Sequence, residues 1–320
     1  MKLALQKLLY VVLMLFIISV VSFGAIHLAP HSFFASGELN PNITQQSLEQ
    51  LKKVYGLDKS LIEQFYAWFG AILRLDFGIS FASGKAVKTE ILSRLPITII
   101  MNAISMFFVF VIALYFGIKS ALRQGSNYDK AIKQFSLISY AMPSFYLALL
   151  LVLLFAVKWK IFPISGLHST DAKDGFLYIL DEAWHLFLPI FVMVFGGVGS
   201  LIMYVRSLTL DILKSDYIFF AKTRGIQGSS LFRYFIIPNL APPIVTILGL
   251  SLPGIIGGSV ILESIFAING MGLLFYQSAL SRDYPVIMGI LIMSAFLTLL
   301  GNIVADLVLI RFNPHFKRKN

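Results

Sequence analysis

The 320-residue chain contains no cysteine, which excludes disulfides, thiol catalysis and cysteine-based metal sites. Charge is scarce as well. Asp, Glu, Lys and Arg make up 13% of the residues, about half of what soluble domains carry, while 58% are hydrophobic. With a mean hydropathy of +0.82, the chain reads as a polytopic membrane protein. Acids are the rarer charge, 16 against 26 bases, for a formal net charge of +10. The bases lie in short loops between apolar runs and not on one soluble face. Anionic lipid and membrane orientation explain that distribution better than a nucleic-acid partner does, and none is expected. The five histidines, His27, His31, His168, His185 and His315, show no HExxH or comparable ligand spacing, so no metal site is expected. No Ser/His or paired-acid constellation lies at the depth of an apolar run, which argues against an enzyme. A phosphate loop is missing too. Gly78–Lys85 reads G-I-S-F-A-S-G-K, with five residues between its glycines where the motif has four, and Ala86 stands where Ser or Thr is required. The chain is therefore expected to bind no cofactor and to hydrolyse no ATP.

What is present is a set of long apolar runs. Six windows, about 8–29, 97–118, 134–157, 184–205, 239–262 and 286–310, have the length and composition of a membrane span. The first is longer than a signal-peptide core and lacks a small-x-small cleavage site, so it reads as a retained helix. The fourth is interrupted by Pro189, Gly196, Gly197 and Gly199. Placing both termini in the cytoplasm puts 15 cations in inside segments and 11 outside, seven of the latter in one long loop where charge orients weakly. The fold class expected is all-α integral membrane, with six transmembrane helices and cytoplasmic N and C termini. Three regions follow: 1–95 as first helix and periplasmic loop, 96–312 as the transmembrane domain with a cytoplasmic loop at 206–238, and 313–320 as a cytoplasmic tail. Helical spacing of Leu48, Leu51 and Val54, then of Leu61, Ile62, Phe65 and Phe69, predicts two short helices on the outer surface.

The 206–238 loop carries its own punctuation. Ser215 and Asp216 suit a helix N-terminus, Tyr217, Phe220, Ala221 and Arg224 follow at i, i+3, i+4 and i+7, and Gly225 suits a left-handed stop. Gly228 opens a second short helix that should run to Pro238, which starts the next span. The small Ala221 leaves room for a partner to approach, and Lys222 and Arg224 offer it charge.

The spacing of Ala221, Gly225 and Pro238 resembles the cytoplasmic "EAA" loop of ABC importer permeases. Arg206–Ile226, R-S-L-T-L-D-I-L-K-S-D-Y-I-F-F-A-K-T-R-G-I, is similar to the permeases of dipeptide, oligopeptide and nickel importers. The same family order continues in L-R-L-D-F-G-I-S (73–80), A-M-P-S-F-Y-L-A-L-L-L (141–151), F-P-I-S-G (162–166), E-S-I-F-A-I-N-G-M-G-L-L (263–274), S-R-D-Y-P-V-I-M-G (281–289) and Asn302 with Asp306. Phe219 and Phe220 depart from it, standing where the family usually has a basic and a small polar residue, as does Asn269, where proline is common.

The resemblance implies a type I ABC importer transmembrane domain in the bacterial inner membrane. It implies a second related permease, two cytoplasmic ATPase subunits that hold ATP and Mg, and an extracytoplasmic solute-binding protein. Asp216, Tyr217, Phe220, Ala221, Lys222, Arg224 and Gly225 would form the ATPase-coupling helix. The expected cargo is a short peptide; the alternatives are a nickel chelate, or an ion-gradient-driven secondary transporter. Proline and small residues in the fifth window place Ser251, Pro253, Gly257 and Gly258 near the translocation path. Glu263, Asn302 and Asp306 are read as polar clamps at span ends.

Overall fold

A computed structural model describes residues 2–28, 59–169, 175–252 and 254–312, and among these there is no β-strand, only an isolated bridge between Ile79 and Ala86. The helices are α1 (Lys2–Leu28), α2 (Leu61–Leu73), α3 (Val87–Leu122), α4 (Asn127–Ala141), α5 (Ser144–Leu151) and α6 (Phe176–Leu213). They continue as α7 (Asp216–Thr223), α8 (Gly228–Leu231), α9 (Ile237–Ser251), α10 (Gly254–Gly257), α11 (Val260–Ile265), α12 (Met271–Ser281) and α13 (Tyr284–Phe312). Four helical stretches are long and apolar enough to cross a membrane: Val87–Leu122, Phe176–Leu213, Gly228–Ser251 and Tyr284–Val304. Counting a bent pair as one span raises the number to five, and Leu9–Gly24 within α1 is a shorter apolar helix.

Three windows fold differently from a plain reading of their composition. The 134–157 window is not one rod: α4 and the segment 144–158 meet at 94°. Met142, held extended at φ −80° and ψ 120°, precedes Pro143, whose ring disfavours the helical conformation of the residue before it. The 184–205 window, conversely, is unbroken. Pro189 lies inside the 38-residue α6, and of the glycines after it Gly199 is a close packing seat. A Cβ at Gly199 would strike the Ser136 carbonyl and approach Ser139 Oγ at 2.7 Å; Ser139 Oγ instead accepts the Gly199 N–H at 3.1 Å and donates to the Phe195 carbonyl. Gly117 lets α3 approach equally closely, since a Cβ there would lie 2.8 Å from Val205 Cβ. Small residues at such crossings are how apolar helices gain van der Waals contact where lipid removes the hydrophobic drive. The 239–262 window breaks after Ser251 into the short α10 and α11, with Gly258 at φ +63° between them. Pro253 lies outside the described residues, as does the first of the two expected surface helices, 48–54, and the 313–320 tail.

α3 and α6 form the central pair, with α4 packed against α6. One buried cluster joins Phe110, Ala113, Ile202 and Val205 of that pair to Ile218 and Ala221 of α7 and to Ile236 and Leu240. A second gathers Ile97 and Met101 with Ala148, Val192 and Ile268, and a third joins Phe77, Val87 and Ile91 to Met271 and Val286. The surface helix α2 starts on a reciprocal capping box between Ser60 and Glu63 and sets Phe65 and Phe69 against Phe16 of α1, with ring centroids 6.1 and 5.5 Å away.

Candidate functional site

The helix at the centre of the 206–238 loop forms where its punctuation places it. Ser215 is extended ahead of Asp216, and the acid sits in the first turn, where the helix dipole favours it. The far end is a Schellman turn: Gly225 adopts φ +80°, its N–H donates to Lys222 O at 3.0 Å, and Ile226 N–H donates to Ala221 O at 3.1 Å. The second helix does not end at Pro238. α8 widens into a π-helical stretch over Phe232–Ile236 and runs on into α9. The wide turn occurs where Pro238 has no N–H to offer the preceding turn.

The outward face differs from the expected one at one residue. Ala221 is 4% exposed and Ile218 fully buried, so Ala221 faces the core of its own chain and no partner reaches it there. Its small size instead lets α7 press onto the cluster beneath. Asp216, Tyr217, Phe220, Lys222, Arg224 and Gly225 are exposed, together with Phe219, which the i, i+3, i+4 spacing does not include. Phe219 and Phe220, each more than 60% exposed, pack edge to face with ring centroids 5.9 Å apart. Their adjacency in sequence was the available signal, because neighbours on a helix cannot both reach a narrow buried stripe.

Where α3, α4 and α6 meet lies a buried ion pair that neither spacing nor composition reveals. Arg206 Nε donates to Asp129 Oδ1 at 2.7 Å, and Nη2 donates to Oδ2 at 2.9 Å. Ser120 Oγ and the Gly125 N–H, at 3.0 Å, donate to the same carboxylate, which is fully buried. Asp129 stands in the first turn of α4, ahead of the 134–157 apolar window. The end of α3, the start of α4 and the end of α6 are thereby tied at one point, ten residues before α7 begins.

Between α3, α6, α9 and α10 lies a cavity of about 340 Å³. Asn102, Ser105, Ser200 and Ser251 line it among apolar neighbours, with no charged side chain among the described residues of the wall. Two of these groups donate back along their own helices, Ser251 Oγ to Ile247 O at 2.8 Å and Asn102 Nδ2 to Thr98 O at 2.7 Å, which leaves acceptor capacity in the wall. Of the residues nominated for a path, Ser251 lines this cavity, while Gly258 is not part of its wall. Gly257 closes α10, and its surroundings lie outside the described residues. Gly258 has a different task. A Cβ there would sit 2.7 Å from Glu263 Oε1, so a larger residue would break a polar knot before it narrowed any path.

That knot accounts for the buried acid. Glu263 is fully buried; it accepts from Thr98 Oγ1 at 3.1 Å and from the Leu273 N–H at 3.0 Å, while Thr98 Oγ1 accepts the Met271 N–H at 2.9 Å. A carboxyl from α11 and a hydroxyl from α3 together cap the first turn of α12. Asn302 and Asp306 both fall in α13, and the Asp306 side chain lies outside the described residues.

Two of the quoted sequence motifs prove to be halves of one lock. Asp283, 2% exposed, accepts from Ser80 Oγ and from the backbone N–H groups of Phe81, at 3.1 Å, and Ala82, at 3.2 Å. The glycine-bounded loop that superficially suggests a phosphate site thus donates its amides to the chain's own carboxylate.

Comparison with known proteins places this architecture. Residues 113–318 match the family described as "Binding-protein-dependent transport system inner membrane component", and residues 1–102 match its N-terminal companion. The chain is 35% identical over 280 residues to the oligopeptide transport system permease protein AppB of Bacillus subtilis (strain 168), covering 87% of this chain and 88% of that one. It is 29% identical over 317 residues to the oligopeptide permease OppB of Haemophilus influenzae, covering 99% of each. It is 27% identical over 322 residues to the dipeptide permease DppB of Escherichia coli (strain K12), covering 94% of each. With spans, broken helices and family matches running through the same residues, the chain belongs to the permease family of binding-protein-dependent transport systems and is a multi-pass component of the inner membrane.

Proposed function

We propose that this chain is one half of the membrane gate of an ATP-driven importer of short peptides. In this reading α1 and the bent pair join the four long helices to make six spans, with both termini in the cytoplasm. A second, related permease faces the inner cavity, a solute-binding protein delivers peptide from outside, and two ATPase subunits holding ATP and Mg dock below. Two arguments carry the cargo: the relatives are named for oligopeptides and dipeptides, and the uncharged, mildly polar cavity wall suits a solute that must leave as easily as it enters. The observation that carries the coupling is α7. It is a surface helix with two exposed phenylalanines beside Lys222 and Arg224, braced from below by Ile218 and Ala221. Such a rigid amphipathic knob fits a cleft in a motor protein. Closing the motor pair would drive α7 inward and, through Arg206 and Asp129, turn α3, α4 and α6 as a body.

Reconstitution tests the whole reading. Vesicles holding both permeases and both ATPases should take up peptide only with ATP, and peptide-loaded binding protein should raise hydrolysis. Uptake by this chain alone, with no ATPase present, would overturn it. The path has its own test in Gly254→Leu. Gly254 borders the inner cavity and has open space where a Cβ would stand, so leucine should intrude without displacing a helix. Uptake should fall severalfold while binding-protein-stimulated hydrolysis persists. Wild-type uptake would move the path elsewhere.

A further inference from the structure

A second cavity, of about 370 Å³, shares no described wall residue with the first. Both draw on α3 but on different faces of it, Ile97 and Ile100 lining the one and Asn102 and Ser105 the other. Its volume falls within the ~300–1,000 Å³ of small-molecule sites. Its wall, unlike that of the inner cavity, is charged with both signs. Arg94 comes from α3, Glu182 from α6, and Asn269 from the turn ahead of α12; Ile97, Ile100 and Leu167 supply apolar surface.

Among the described residues the two charges are lightly used. Arg94 reaches Gln277 Oε1 and Glu90 Oε2 only at 3.5 Å each, which leaves most of its five donors unspent. Glu182 has no hydrogen-bond or ion-pair partner among the described residues, although it is only partly exposed. Charges in a concave wall that are not spent on each other are available to a ligand. One cation, one anion and an amide in a single cavity match a zwitterion with amide groups between its ends.

We propose that this cavity receives the two charged ends of a short peptide, Glu182 taking the ammonium and Arg94 the carboxylate. Asn269 faces the backbone amides, and the apolar wall contacts side chains without selecting among them. The inference rests on the peptide-import reading and adds to it a place where peptide termini are recognised within the permease.

The test uses the full complex in vesicles, saturated with binding protein, and a defined equimolar mixture of tripeptides read by mass spectrometry. Glu182→Gln and Arg94→Gln should each lower uptake about tenfold, as expected for loss of one charge-assisted hydrogen bond. Hydrolysis should stay near wild type, so peptide moved per ATP falls. A folding or docking defect would lower both rates together. Arg94→Lys, which keeps the charge, should recover part of the loss. Wild-type peptide-per-ATP ratios in both glutamine variants would overturn the site and leave peptide import standing. Should Arg94→Gln fail to assemble, Glu182→Gln, which keeps size and shape, decides alone. A wild-type complex that moves no tripeptide would overturn the peptide reading and this site with it.

Discussion

Asp129→Ala should destabilise the permease by about 3–5 kcal/mol, the cost of stranding a charge whose buried partner has been removed. Arg206 would keep its guanidinium only 13% exposed, without the carboxylate that accepts its bonds. Ser120 Oγ and the Gly125 N–H would lose their acceptor as well. Lys133, 3.9 Å from Asp129 and 43% exposed, is too solvated to contribute comparably. Thermal unfolding in detergent, followed by size-exclusion chromatography, measures the loss. The double variant Asp129→Leu with Arg206→Met decides its cause: with both charges gone, most of the stability should return. If single and double variants unfold alike, the ion pair is not what the site depends on.

The long apolar helices were legible because composition alone determines them, and α7 because Ser215, Asp216 and Gly225 are local signals. The break at Pro143 was legible in principle, since the residue before a proline leaves the helical region. An apolar window of sufficient length hid it. Gly196, Gly197 and Gly199 misled in the other direction: a glycine run looks like a break, yet Gly199 is a seat for α4 that only the crossing of two helices reveals. The polar locks were beyond reach for a different reason. Ser80 and Asp283 are 203 positions apart, Thr98 and Glu263 165, and Asp129 and Arg206 77. Periodicity carries no information over such distances. Arg206 and Asp129 could be counted as loop charges that orient the chain, but nothing local says that they face one another in a dry site. Ala221 shows the same limit on a smaller scale. Its spacing from Gly225 marks the helix, while which side of that helix faces inward depends on the cluster packed below it.

Gly225→Val should uncouple hydrolysis from transport, and the geometry at this glycine says why. The residue holds φ +80° to close the Schellman turn, yet a Cβ added there meets nothing within 4 Å. Any penalty must come from the backbone and not from a clash. A left-handed conformation costs an ordinary residue ~1–2 kcal/mol, and a β-branched one more, so valine should release the turn and let α7 fray or tilt. A graded series isolates the cause. Gly225→Asn introduces a residue that tolerates the left-handed region, and it should transport nearly as the wild type does. Gly225→Ala should be intermediate, and Gly225→Val should lose about tenfold or more in peptide uptake. Hydrolysis by the ATPase pair should continue, because the substitution leaves the motor untouched and alters only the knob it grips. Uptake and phosphate release measured side by side in vesicles give the ratio that matters. If the asparagine and valine variants transport equally well, the left-handed turn does not aim α7 at a motor, and the role proposed for this helix fails.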